Sequence, residues 1–185
     1  MAKGLAQPSV SDAVDAQRKS YVTYSAPVSV VELAQAIITL ESPYLLAAAG
    51  TTGLRTWEAA KFLTCFLYTP RGRSYVGSKR IIELGAGTGV VSMFCARHLE
   101  ATFTLATDGT GEVVDAVTGN MYLNKLDDQQ SMEAVVLKWG HAITPELILD
   151  EDETRNYELV LGADIVSRAI VYWFCAKLRR YLTTD

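Results

Sequence analysis

The stretch Ile81-Ile82-Glu83-Leu84-Gly85-Ala86-Gly87-Thr88-Gly89 constrains this chain more than any other. An apolar run closing on an acid, followed by glycine at alternate positions, reads as a buried strand, a tight turn and a helix opening at Thr88 or Gly89. Glycine suits such a turn because some of its positions require φ > 0, and because a side chain would keep a ligand from the backbone amides. The spacing separates two ligand classes. A dinucleotide fingerprint of the form G-x-G-x-x-G, counted from Gly85, requires glycine at position 90, where Val90 stands. The pattern present is acidic-x-G-x-G-x-G. The Glu83 carboxylate would repel a pyrophosphate and tolerate a cationic amino-acid headgroup. A purely structural strand–helix turn is the plain alternative for any glycine turn taken alone.

The flanking sequence supports an α/β fold. At 185 residues the chain is of single-domain size and long enough for a sizeable core. A net charge of −4 speaks against a surface built for bulk nucleic acid or anionic lipid, and no apolar run approaches the ~18 residues of a membrane span. The start, Met1-Ala2-Lys3-Gly4-Leu5, lacks the apolar core of a signal peptide. Cys65, Cys95 and Cys175 sit in apolar helical contexts and read as reduced core residues. His98 and His141 have no partners at metal-ligand spacing, so no metal site is expected.

From Arg80 the pattern alternates. Strands are expected at Arg80–Glu83, Thr102–Thr107 (ending at Asp108), Ala134–Lys138 (ending at Trp139) and Glu158–Ala163 (ending at Asp164). Helices are expected at Val90–Leu99, Gly111–Asn124 and Arg168–Leu182. Such alternation implies a parallel sheet with covered faces. Between the third and fourth strands lie a short helix capped at Thr144-Pro145 and the acidic run Asp150–Glu153, most simply a solvated loop. Ahead of Arg80, residues 1–28 read as a loose or partly helical lead-in. Ser29-Val30-Val31-Glu32 forms a capping box for a helix to about Leu40. Tyr44–Ala49 reads as a short helical piece, and Thr56 as the cap of a helix to about Tyr68. That helix is expected to turn Phe62, Leu63, Phe66 and Leu67 to the core, with Trp57 in its first turn. Thr69–Lys79, with Pro70, Gly72 and Gly77, reads as a loop.

Ligands of open α/β sheets bind outside the carboxyl ends of the strands, so Glu83, Gly85, Asp108, Trp139, Ala163 and Asp164 are expected on one crevice. Asp108 is placed to accept both hydroxyls of a ribose, work for an acceptor-only carboxylate. That role identifies a nucleoside without distinguishing which one. Trp57 and Trp139 suit an adenine face or a sulfonium, the latter through cation–π contact of about 0.5–2 kcal/mol. The plain alternatives are a turn cap for Asp108 and core packing for the tryptophans.

The glycine turn resembles motif I of class I S-adenosylmethionine-dependent methyltransferases. TTGLRTWEAA (51–60), IIELGAGTGVVS (81–92), TD (107–108), KWG (138–140) and LGAD (161–164) together resemble the family-16 protein methyltransferases. Among these the likeness is to the eukaryotic elongation factor 2 lysine methyltransferases, with ESPYLLAAAGTTGLRTWEAA especially like the fungal members. It covers about residues 29–168. It implies a Rossmann-like fold, with a helical lead-in over residues 1–50 and an S-adenosylmethionine-binding domain over 51–185. It further implies a monomeric, cytoplasmic protein-lysine N-methyltransferase acting on elongation factor 2, with no direct role for nucleic acid or membrane. By resemblance the cofactor is held by Trp57, Gly85, Ala86, Gly87, Asp108, Trp139 and Ala163, and Asp164 borders the lysine channel and steers the ammonium. Two departures stand out. Ser167 occupies the place of a tyrosine usual in the family, and four strands are found where the family sheet has seven, so the sheet reads as truncated after the fourth. A non-catalytic S-adenosylmethionine-binding or partner-binding domain is the alternative of a different class. An NAD-dependent oxidoreductase is disfavoured by Val90 and Glu83.

Overall fold

The computed structural model describes residues 18–26, 35–44, 51–128, 130–139 and 157–165 of the chain. Ser20–Ser25 (β1) and Ala36–Glu41 (β2) form an antiparallel ribbon in which Ser20 faces Glu41 and Ser25 faces Ala36. This corrects the helix expected to run to Leu40, and the partly helical lead-in where the ribbon replaces it. The run Ala36-Ile37-Ile38-Thr39-Leu40 satisfies a helical apolar stripe and a strand alternation equally, and pairing with β1 selects the strand. Period two is plain in the result, since Ile37, Thr39 and Glu41 are buried. The capping box at Ser29–Glu32 and the helical piece after Tyr44 lie outside the described residues.

Two helices follow, Glu58–Leu67 (α1) and Pro70–Val76 (α2). The residue preceding α1 is Trp57, not Thr56, and it caps nothing with its side chain. Leu67 is buried and Leu63 packs on the core, but Phe62 and Phe66 are exposed, against expectation. Cys65 on the same helix is exposed too, whereas Cys95 is buried as expected. α2 occupies the segment expected as a loop. Its proline stands at the first helical position, where no N–H is needed, and the Thr69 hydroxyl accepts from Gly72 N–H at 3.1 Å as the cap.

The main sheet is built from Arg80–Leu84 (β3), Phe103–Asp108 (β4), Met132–Val136 (β5) and Leu159–Gly162 (β6), with Val90–His98 (α3) and Gly111–Leu123 (α4) between its strands. β5 begins two residues earlier than expected, so Leu137–Trp139 lie past its end. All pairings are parallel, in the order β5-β4-β3-β6. Both faces are buried by alternate residues. Ile81 and Ala106 join Phe94, Met93 and Val117 on the α3–α4 side. Ile82, Leu84, Phe103 and Leu105 join Leu137 and Tyr157 on the other. From β5 the chain returns across the sheet to pair β6 with the far side of β3. The strand order therefore reverses between β3 and β6, and a crevice opens at their carboxyl ends. The helices expected at Thr144 and at Arg168–Leu182, the acidic run Asp150–Glu153 and Ser167 lie outside the described residues.

Candidate functional site

The glycines of the turn stand where only glycine fits well. Gly85, Gly87 and Gly89 have φ of 66°, 55° and 79°, the left-handed region that costs other residues roughly 1–2 kcal/mol. Gly85 and Gly89 also pack tightly, while Gly87 has ordinary room and is held to glycine by its backbone alone. A Cβ on Gly85 would lie 2.8 Å from Cγ2 of Ile165 and 3.6 Å from the Trp139 ring. One on Gly89 would lie 2.9 Å from a methyl of Val117, and one on Gly87 3.5 Å from the carbonyl oxygen of Gly53. Alternate glycine spacing is thus dictated by backbone conformation and by close neighbours on both sides of the turn.

Above the turn, at the carboxyl ends of β3, β4 and β6, lies a cleft of about 580 Å³. Gly85 and Gly87 form its floor with Asp108, and Trp57, Trp139, Ala163 and Asp164 form its walls. The structure therefore brings seven of the nine residues singled out in the sequence to one cavity. The other two, Glu83 and Ala86, are buried beneath it. Ala86 donates its N–H to the Thr107 carbonyl at 2.9 Å. Glu83 is 1% exposed and accepts from both the N–H (3.0 Å) and the hydroxyl of Ser92, in the first turn of α3. Burial pushes its carboxyl up to about 7, against the pull of the Ser92 hydrogen bonds, and the neighbouring Asp108 charge adds to the rise.

Asp108 closes β4 with its carboxylate braced. Oδ2 accepts from Gly87 N–H at 3.1 Å and Oδ1 from Gly109 N–H at 2.7 Å. Trp57 is held by its indole N–H on the Thr52 carbonyl (2.9 Å) and by the Arg55 guanidinium, 4.4 Å from its ring centroid. Asp164 is exposed on the rim and adopts φ 58°, a left-handed conformation that aspartate tolerates better than most residues. The cleft is also lined by residues that sequence reasoning did not single out: Thr51, Thr52, Gly53, Gly109, Lys138 and Ile165. Thr51, Thr52, Gly53 and Lys138 stand inside the segments TTGLRTWEAA and KWG, and Gly109 and Ile165 directly follow Asp108 and Asp164, so adjacency to motif residues was their signal. Among the described residues, no group of three or more metal-binding side chains gathers, and no helix is long and apolar enough to cross a membrane.

The family model of lysine methyltransferases matches residues 47–178. The protein-lysine N-methyltransferase EFM3 of Chaetomium thermophilum is 43% identical over 166 residues, covering 89% of this chain and 49% of that protein. The protein of the same name from Saccharomyces cerevisiae is 33% identical over 160 residues, covering 78% and 44%. The chain thus spans about half the length of these curated relatives. Among solved structures, a ribosomal protein L11 methylase from Lactobacillus delbrueckii subsp. bulgaricus aligns with a TM-score of 0.45 at 19% identity, covering 68% of this chain and 55% of that one.

Proposed function

This chain belongs to the lysine methyltransferase family, and we propose that it transfers a methyl group from S-adenosylmethionine to the side-chain amine of a lysine in eukaryotic elongation factor 2. The choice of substrate rests on the resemblance of its motifs. The observation that carries the reaction class is the convergence of the glycine turn, Asp108, two tryptophans and Asp164 on one cleft at the reversal of strand order.

The cleft fits the cofactor. Its volume is in the range of small-molecule sites, roughly 300–1,000 Å³. On its floor Gly85 lies so close to Ile165 and the Trp139 ring that no Cβ fits there, and the backbone itself faces the cleft. The turn also argues against a pyrophosphate. The amides of Ala86, Gly87 and Gly89 are engaged within the chain, on the Thr107 carbonyl, the Asp108 carboxylate and the Ala86 carbonyl. A phosphate site needs such amides free, and the Asp108 carboxylate on the cleft floor would oppose its charge.

The residues that would hold the cofactor are Trp57, Gly85, Gly87, Asp108, Trp139 and Ala163. Asp108, fixed by two backbone amides, presents its remaining lone pairs to ribose hydroxyls. Trp57 and Trp139 supply flat apolar walls that suit adenine and the sulfonium. Ala86 and Glu83 act from below, shaping the turn and fixing the start of α3. When bound, S-adenosylmethionine supplies an electrophilic methyl group to the lysine amine. A free lysine, with pKa about 10.4, arrives protonated at neutral pH. Asp164 on the rim draws in that ammonium and aligns it, and its proton leaves to water.

Calorimetric titration with S-adenosylhomocysteine tests the reading, with the Asp108→Ala variant beside it. Binding by the natural chain and its loss in the variant are expected. Methyl transfer to elongation factor 2 should then fall at least about tenfold in Asp164→Ala, which keeps its cofactor affinity; unchanged transfer would remove Asp164 from the mechanism. Cofactor binding without transfer to any lysine would identify a non-catalytic binding domain. Binding of a nicotinamide cofactor instead would restore the oxidoreductase reading.

A further inference from the structure

We infer that Glu41 is a positioning residue for the cleft. From the end of the N-terminal ribbon it fixes the Thr51–Trp57 wall against the glycine turn, and cofactor affinity depends on that bracing. The affinity part of this inference rests on the cofactor reading above; the bracing does not.

Glu41 lines no part of the cleft and is 2% exposed. A carboxylate in such a place is costly unless hydrogen bonds compensate its lost water. Three donors do so here: the Tyr24 phenol, the Thr39 hydroxyl at 3.3 Å, and the backbone N–H of Thr56. Burial, and secondarily the hydrogen bond to Glu41, push the Tyr24 phenol upward, so it stays a donor throughout the physiological range. A position needed only for packing would be filled more cheaply by an apolar side chain. What the carboxylate achieves that an apolar group does not is to grip Thr56, the residue before Trp57.

Thr56 passes the constraint on. Its hydroxyl lies 2.6 Å from that of Thr88, between Gly87 and Gly89 in the turn. A second link runs in parallel from the neighbouring ribbon residue. Leu40 donates its N–H to Asn120 Oδ1 at 2.8 Å, and Asn120 Nδ2 donates to the Thr88 carbonyl at 3.0 Å. The ribbon therefore reaches Thr88 through both its side chain and its backbone. A third bond, Ser42 N–H to the Leu54 carbonyl at 2.9 Å, ties the residue after Glu41 to the wall itself. Gly53 of that wall lies directly against Gly87, so the spacing of wall and turn sets the width of the cleft.

The test compares two substitutions in the full chain. In Glu41→Gln the amide carbonyl still accepts from Thr56, while the NH₂ donates to the Tyr24 and Thr39 hydroxyls, which turn to accept. In Glu41→Ala the Thr56 N–H is left buried and unpaired. Two quantities are read: affinity for S-adenosylhomocysteine by calorimetry, and amide hydrogen exchange by mass spectrometry. Glu41→Gln is expected within about threefold of the natural affinity. Glu41→Ala is expected about tenfold weaker, with faster exchange in residues 51–57 and unchanged exchange in β3 and β4. Thr56→Val, which cuts the link to Thr88 and leaves the Thr56 N–H on Glu41, should weaken binding similarly and stands in if Glu41→Ala does not fold. The inference is overturned if the folded variants bind as the natural chain does, or if exchange quickens in β3 and β4 as much as in the wall. Should the natural chain bind no S-adenosylhomocysteine, the cofactor reading fails. The exchange pattern alone then decides the bracing, confinement to residues 51–57 supporting it and spread into the sheet refuting it.

Discussion

At Gly85 two independent penalties await any larger residue: a left-handed backbone and a methyl of Ile165 where the new Cβ would go. Gly85→Ala should therefore lose about 2 kcal/mol of stability in urea denaturation, the sum of αL strain and modest overpacking. Gly109→Ala, on the same cleft but with open space around the position, should change stability little. Glu83 offers a different residue-scale test. Burial raises its folded carboxyl to about 7, above its unfolded value of 4.5. The folded state thus binds the proton more tightly, and the associated stability is fully present below about pH 4.5 and lost as pH rises through 7. Relative to Glu83→Gln, which has no proton to lose, the natural chain should lose about 3 kcal/mol between pH 4 and pH 8. Denaturation curves at the two pH values check this, and parallel pH profiles for both proteins would refute it. At this scale the sequence was largely legible, because glycine spacing and strand-end acids are imposed by local backbone geometry. The misplacement of Glu83 in the cleft was not avoidable from spacing. A strand alternates its faces, and only the packed structure shows that residue 83 faces α3 while Gly85, two residues later, lines the cleft.

Among the elements, the parallel strands and the two crossover helices were legible to within a residue or two, since short apolar-rich strands alternate with helical stretches and turn residues bound them. The N-terminal ribbon and α2 were not. β2 is a short run of β-branched and apolar residues that fits two periods, and its partner β1 is too polar to announce itself. α2 was hidden behind Pro70 and Gly72, which signal a loop by composition but here serve as first helical residue and contact residue. Gly72 sits so near the end of α1 that a Cβ would lie 2.1 Å from the Phe66 carbonyl oxygen and 2.5 Å from Leu67 Cα, both backbone atoms with no room to yield. Gly72→Ala should accordingly cost about 3 kcal/mol, at the upper end of overpacking. Gly119→Ala, on the exposed face of α4 with nothing within 4 Å, should instead gain about 0.5–1 kcal/mol from helix propensity. Urea midpoints for the pair measure both signs in one experiment. The ribbon's open edge is met by the same α4. Asn124 accepts from Ile38 N–H at 2.9 Å and donates to the Ile38 carbonyl, while Asn120 takes Leu40 N–H. Asparagines four apart, one in α4 and one at its C-cap, thus finish a strand edge that would otherwise be free to pair elsewhere. No sequence pattern announced this, because the partners lie some 80 residues apart and asparagine in a helix reads only as a weak helix former.

For the molecule as a whole, the decisive coupling is between the cleft and global stability, because the cleft is built from β3, β4 and β6 and from the wall that the ribbon braces. A ligand that binds only the folded chain stabilises it by mass action, about 2.7 kcal/mol at a hundredfold excess over its dissociation constant. For a chain of this length each kcal/mol moves the melting temperature by about 2–4 °C. S-adenosylhomocysteine at that excess should therefore raise the melting temperature of the natural chain by about 5–10 °C. Asp108→Ala, which removes the carboxylate braced by Gly87 and Gly109, should show no comparable shift at the same concentration. A nicotinamide dinucleotide should give no shift with either protein, because the turn's amides are already committed within the chain. A thermal scan with both ligands separates the outcomes. A rise with S-adenosylhomocysteine that vanishes in the variant places the cofactor in the cleft at the strand ends. An equal rise in both proteins would place it elsewhere, and a rise with the dinucleotide alone would overturn the assignment of the turn.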